Sequence, residues 1–156
     1  MKYRVMKYRI IALSSLLLLT SCVTTYVGPF FDGTVNGRYS YKATVDGVPA
    51  TVTSKVTLEA KATLQGESAY NFMGTMIFLE ERYTVTGTET YPSNIRNLDS
   101  QVGVEADVLE GETPIHKLCG ENDYEGYVNM VMYAPSSVCS SPGDKLGVVT
   151  FSSYFE

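Results

Sequence analysis

Ala50-Thr51-Val52-Thr53-Ser54-Lys55-Val56-Thr57-Leu58-Glu59-Ala60-Lys61-Ala62-Thr63-Leu64-Gln65 decides the fold. Ala50, Val52, Val56, Leu58, Ala60, Ala62 and Leu64 share one face, broken only by Ser54. Thr51, Thr53, Lys55, Thr57, Glu59, Lys61, Thr63 and Gln65 share the other. A period of two puts alternate residues on opposite faces of a strand, whereas a helix would mix them. The apolar face is expected to bury Val52, Val56, Leu58 and Leu64. Lys55, Glu59 and Lys61 are expected to meet water, because burying an unpaired charge costs several kcal/mol. The run is longer than an ordinary strand, so a bend or bulge is expected near Ser54.

The same alternation extends outward in both directions. Tyr39, Tyr41, Ala43 and Val45 form a one-sided stretch that ends at Asp46-Gly47, the residue pair a tight hairpin needs at positive φ. Downstream, Gln65-Gly66-Glu67-Ser68 reads as a turn, and Tyr70, Phe72, Met76 and Phe78 share a face. Glu80-Glu81-Arg82 interrupts the pattern, which reads as a bulge, before Tyr83, Val85 and Gly87 resume it. Residues 91 to 100 read as a loop. Val102, Val104, Ala106 and Val108 form another strand, ended by Gly111 and Pro114. A further strand is expected from Tyr124 to Tyr133, then a type II turn at Ser141-Pro142-Gly143-Asp144 and a last strand from Lys145. No capped 3.6-period stripe interrupts this series. The expected fold is all-β, an antiparallel meander barrel or sandwich of six to eight strands.

Length and composition agree with one such domain. The chain has 156 residues, 44% apolar and 19% charged, with a formal charge of -5. Charge is uneven along it. Lys2, Arg4, Lys7 and Arg9 occupy the first nine residues without an acid, leaving eight basic residues against 17 acidic ones, a net of -9. So acidic a chain repels phosphate backbones, which argues against nucleic acid and toward a basic ligand or protein face.

The basic start is followed by an apolar run from Ile10 to Leu19, long enough for a secretion signal and too short to span a membrane. It ends in Leu19-Thr20-Ser21-Cys22, which resembles the lipobox of bacterial lipoproteins. That resemblance implies cleavage before Cys22, diacylglycerol on its sulfur and a fatty acyl group such as palmitate on the new amino terminus. By the same resemblance Val23, in place of aspartate, implies sorting to the outer membrane of a Gram-negative bacterium, with a periplasm-facing domain. The expected division is a signal peptide over 1–21, a lipidated tether over 22–36 and a single β domain over 37–156. Met1-Lys2-Tyr3-Arg4 recurs as Met6-Lys7-Tyr8-Arg9, so a start at either methionine leaves a complete signal.

With Cys22 consumed by lipid, Cys119 and Cys139 remain, and an oxidising compartment favours a disulfide between them. The chain-entropy account gives such a bridge about 3 kcal/mol. Bridging requires the segments around the intervening strand to fold back along it.

Candidate chemistry is sparse. His116, the only histidine, sits in Pro114-Ile115-His116-Lys117 and reads as a loop side chain, since base catalysis needs a positioned partner. No nucleophile elbow, zinc-binding helix motif or phosphate loop occurs. The oxygen-donor clusters Glu105/Asp107/Glu110/Glu112 and Glu121/Asn122/Asp123/Glu125 lack calcium-loop spacing. No metal or cofactor is expected. Tyrosine is the better hint, because it joins apolar area to a hydrogen-bonding tip. Tyr124, Tyr127 and Tyr133 are the candidate binding surface.

The resulting expectation is a lipid-anchored, non-catalytic envelope module engaging a protein partner or a small apolar ligand in a barrel mouth. The architecture is similar to that of lipocalin-like and lysozyme-inhibitor-like lipoproteins, a likeness carried by no shared motif. Two alternatives stay open. One is an envelope hydrolase without a recognisable motif; the other is a small outer-membrane β-barrel, whose strands also alternate.

Overall fold

A computed structural model describes residues 28–91, 102–122 and 126–153. Eight antiparallel strands run in chain order, each hydrogen-bonded to the next: β1 (Gly33–Val45), β2 (Val48–Gln65), β3 (Ala69–Phe78), β4 (Glu81–Thr90), β5 (Val102–Glu110), β6 (Thr113–Asn122), β7 (Tyr127–Tyr133) and β8 (Lys145–Ser152). Pairing of β8 with β1 closes the barrel, so the sandwich alternative falls away.

The polarity of the wall follows the alternation. Val35, Tyr39, Val56, Leu58, Phe72, Met76, Val85, Val104, Val108, Leu118, Val128, Met130, Val149 and Phe151 point inward and are buried. Lys55, Glu59 and Lys61 point out and are exposed, as the quoted stretch implies. Two of its expected core residues do not fit. Leu64 is 60% exposed and Val52 is only half-buried. Both lie on the correct face but at the ends of an over-long strand. β2 pairs with β3 only from Val56 onward, and β1 pairs with β8 only as far as Ser40. Residues 41–52 therefore stand beyond the barrel rim as a two-stranded ribbon. The length of β2 is absorbed by this overhang rather than by a bulge at Ser54, where the register is unbroken.

Three other local readings are revised. Glu80 sits in a turn, not a bulge: Leu79 and Glu80 take φ of 50° and 67° between the paired residues Phe78 and Glu81. That is the pattern of a type I′ hairpin, here without glycine or asparagine. The segment from Thr113 to Asn122, read in part as a loop, is the strand β6; it carries a bulge opposite Val108/Leu109. Gly143 is not at positive φ, so its turn is not type II.

The barrel has two distinct ends. At one, Phe30 and Phe31 enter from the N-terminal side, within the stretch read as tether. Phe31 is fully buried against Phe72 and Phe151. Glu89, on the inward face of β4 and also fully buried, holds this segment. Its Oε1 accepts from the Phe31 N–H at 2.8 Å and its Oε2 from the Phe30 N–H at 2.9 Å. The Tyr91 hydroxyl lies 2.8 Å from Glu89 Oε2 and 3.2 Å from the Gly28 carbonyl. Burial and the neighbouring Glu89 push the Tyr91 phenol far above the ordinary tyrosine range. At the other end lie the ribbon, the Leu79-Glu80 and Gly111-Glu112 turns and the β7–β8 loop. There Tyr39 covers Gly147, where a Cβ would collide with the ring.

Candidate binding groove

Among the described residues, space for a partner lies on the outside of the barrel. The interior is occupied by Phe31, Phe72, Phe78, Phe151, Met76, Met130 and Met132. On the outer wall, a groove of about 1370 Å³ crosses β2 to β7. Small ligands occupy pockets of roughly 300–1,000 Å³, so this groove is larger than a small molecule needs.

Several inward positions behind the groove are small. Gly87 of β4 abuts Ala106, whose Cβ would lie 2.7 Å from a Cβ added at Gly87, and the Phe72 ring fills the space a side chain would take. Gly120 of β6 lies so close to β7 that an added Cβ would come within 2.7 Å of Met130 Cα. Glycine and alanine at these inward positions let neighbouring strands and core side chains approach closely, and the groove lies on the reverse face of this stretch.

Outward side chains then line the trough in rungs set by strand register. One rung joins Lys61, Met73, Thr86, Asp107 and Lys117; the next joins Thr63, Asn71, Thr88, Glu105 and Cys119. The Thr88 hydroxyl donates to Asn71 Oδ1 at 3.1 Å, and Asn71 Nδ2 donates to Gln65 Oε1 at 3.0 Å. Lys117 is the one cation sunk into this face among the described residues, with 9% of its surface exposed. Its ammonium meets Glu105 at 2.6 Å and Asp107 at 3.3 Å. Burial alone would lower its pKa, but the hydrogen bonds to these two carboxylates win and hold it above the usual lysine value.

The disulfide completes one side. Cys119, on the outward face of β6, is bonded to Cys139 of the β7–β8 loop with Cα atoms 5.5 Å apart. The bridge forms because that loop folds back over the outer wall, while β7 itself is only seven residues long.

The tyrosine surface read from sequence is not assembled. Tyr127 and Tyr133 both face outward and are half-buried, but they occupy opposite ends of β7, about 20 Å apart at strand rise. Tyr124 lies outside the described residues, as does Cys22. His116 is on β6 with its side chain inward, edge-on to Phe78, not in a loop. Its Nδ1 is buried without a hydrogen-bond partner, and desolvation lowers its pKa. Among the described residues no cluster of three metal-ligating side chains occurs.

The groove escaped sequence reading because its Thr, Asn, Glu and Lys residues are those of any solvated strand face. The available signal was the small inward residues Gly74, Gly87, Ala106 and Gly120 in four successive strands. No family model matches the chain, and comparison with curated proteins and with solved structures finds no match.

Proposed function

We propose that this chain is a lipid-anchored, non-catalytic binding module of the bacterial envelope, and that the outer groove takes an extended polar segment of a protein partner. The groove carries the reading. It is concave, presents hydrogen-bonding groups at the two-residue repeat of a strand, and offers more room than a small ligand fills. An extended peptide shares that repeat and would be held by these outward side chains, since the closed barrel offers no strand edge. The carboxylates Glu105, Asp107 and Glu121 outnumber the cations Lys61 and Lys117 in the lining, which favours a partner segment with basic side chains.

The filled interior speaks against a small apolar ligand in the barrel. The outward Lys, Glu and Thr side chains speak against a membrane-spanning barrel, since Lys at mid-bilayer costs about 2–4 kcal/mol. A hydrolytic reading finds little support. Glu105 and Asp107 converge on the Lys117 ammonium, an arrangement that balances charge rather than setting an acid against a base. The anchor rests on the basic start, the apolar core and Leu19-Thr20-Ser21-Cys22. The Cys119–Cys139 disulfide supports export to an oxidising compartment.

Site-directed photocrosslinking in living cells tests the groove. A crosslinker at Thr88 should capture a specific partner that one at Lys55, outside the groove, does not, and Glu105→Lys should abolish that capture. Equal capture from both positions, or capture indifferent to Glu105→Lys, would overturn the reading.

A further inference from the structure

We infer that Glu89 turns the lipid tether into a short, fixed mount, setting the plugged end of the barrel against the bilayer and the β1–β2 ribbon away from it. The inference rests on the anchor at Cys22 proposed above. It begins from the clamp: one buried carboxylate binds the backbone N–H groups of both Phe30 and Phe31, and Phe31 is sealed between Phe72 and Phe151. The Tyr91 hydroxyl, 2.8 Å from Glu89 Oε2, also lies 3.2 Å from the Gly28 carbonyl, so the chain is held to the barrel from Gly28 on. Asp32 extends the grip, its Oδ1 accepting from the Ala62 N–H at 3.1 Å.

Chain arithmetic sets the reach. Five residues separate Cys22 from Gly28, and even fully extended the six Cα steps between them span only about 20 Å. The barrel is taller than that. β3 has ten residues, about 33 Å along the strand and about 25 Å along the axis after a typical tilt. A tether this short, leaving the plugged end, cannot pass the barrel to bring the opposite end to the bilayer. Without the clamp, the free tether would run from Cys22 to Gly33, eleven Cα steps and about 40 Å, long enough for either end to touch the membrane. Glu89 thus decides orientation by shortening the tether. The groove is left along the flank, and the ribbon with its exposed Val45 and Val48 is carried to the membrane-distal tip.

The test uses the full lipoprotein, purified and reconstituted into vesicles of phosphatidylethanolamine and phosphatidylglycerol with a headgroup-borne quencher. A fluorophore is attached through Glu67→Cys in the β2–β3 turn, at the plugged end, or through Glu112→Cys in the β5–β6 turn, at the far end. Incorporation of a tagged fatty acid is read on the same samples. Lipidated protein quenched at position 67, with quenching lost at 112, supports the mount. Lipidated protein quenched equally at both, or more at 112, overturns it and leaves the anchor standing. Absence of lipid overturns the anchor and the mount together. Glu89→Gln and Phe31→Ala, in protein whose circular dichroism shows an intact barrel, should each erase the difference between the two positions. Persistence of the full difference in both would show that the clamp does not set the orientation.

Discussion

Glu89→Ala separates the cost of burying a carboxylate from the gain of satisfying the groups around it. Hydrogen bonds to charged acceptors contribute about 1.5–3 kcal/mol each, and Glu89 accepts two from backbone N–H groups. Against this stands the desolvation of a carboxylate with no exposed surface, several kcal/mol even after relaxation. Alanine relieves that desolvation but strands the Phe31 N–H in a buried site, at about 1–3 kcal/mol, and empties part of the barrel end. The Phe30 N–H is only partly buried and recovers water. The expected balance is a loss of about 2–4 kcal/mol, because removing one partner from a buried charged network is costly even where the whole network is not. Phe31→Ala should cost about 3–5 kcal/mol on its own. The two changes release the same plug, so the double variant should fall short of the sum by about 1–3 kcal/mol. Urea unfolding of a chain beginning at Val23 measures all three, followed by tyrosine fluorescence because the chain has no tryptophan. A Glu89→Ala cost under about 0.5 kcal/mol, as at an ordinary surface position, or strict additivity of the pair, would refute the clamp.

Other perturbations test separate parts of the structure. Glu80→Gly should stabilise by about 1 kcal/mol, since a left-handed conformation costs a non-glycine residue about 1–2 kcal/mol and added chain entropy in the unfolded state returns part of that; a loss of stability would contradict the I′ turn. Leu58→Ala should cost about 2–5 kcal/mol, whereas exposed Leu64 and Lys61 should each tolerate alanine within about 0.5 kcal/mol, as read from the same urea curves. His116 has a folded pKa lowered by burial, so the unfolded chain binds its proton first as pH falls; stability should be complete above about pH 6.5 and decline as pH drops through the lower folded value. His116→Gln should flatten that decline, and an unchanged slope in pH-dependent unfolding would place the imidazole outside the barrel.

The fold was legible where a strand is buried on one face along its paired length. Val56, Leu58 and Ala60 follow the rule, and Thr57, Glu59 and Lys61 mirror it. Alternation cannot say where a barrel ends, and so it assigns Val52 and Leu64 to the core. Nor did it reveal β6, whose inward residues are His116, Leu118 and Gly120, a set with one strongly apolar member. Pro114 near its start added the look of a loop, although proline is tolerated at strand beginnings. The Leu79-Glu80 turn was hidden for a different reason: its conformation is the one that normally calls for Asn-Gly, and neighbouring pairs from Phe78–Glu81 to Ala69–Thr90 impose it on residues without that preference. Tertiary pairing overrode local propensity there.

The candidate site was less legible because its shape is a property of the closed barrel. Thr88, Asn71 and Glu105 are ordinary outward residues in three separate strands, and only register makes them neighbours. Their trough lies on the reverse face of Gly87, Ala106 and Gly120, and those residues are read locally as weak points in an apolar stripe. Cys119 belongs to the same logic. An outward cysteine in the middle of a strand can reach only something lying on the outer wall, so its bond to Cys139 places the β7–β8 loop there. The two cysteines were identified from compartment chemistry alone, but the surface they build needed the strand assignment of β6. Small inward residues and an outward cysteine on neighbouring strands are two signs of one feature, a wall shaped for what lies outside it.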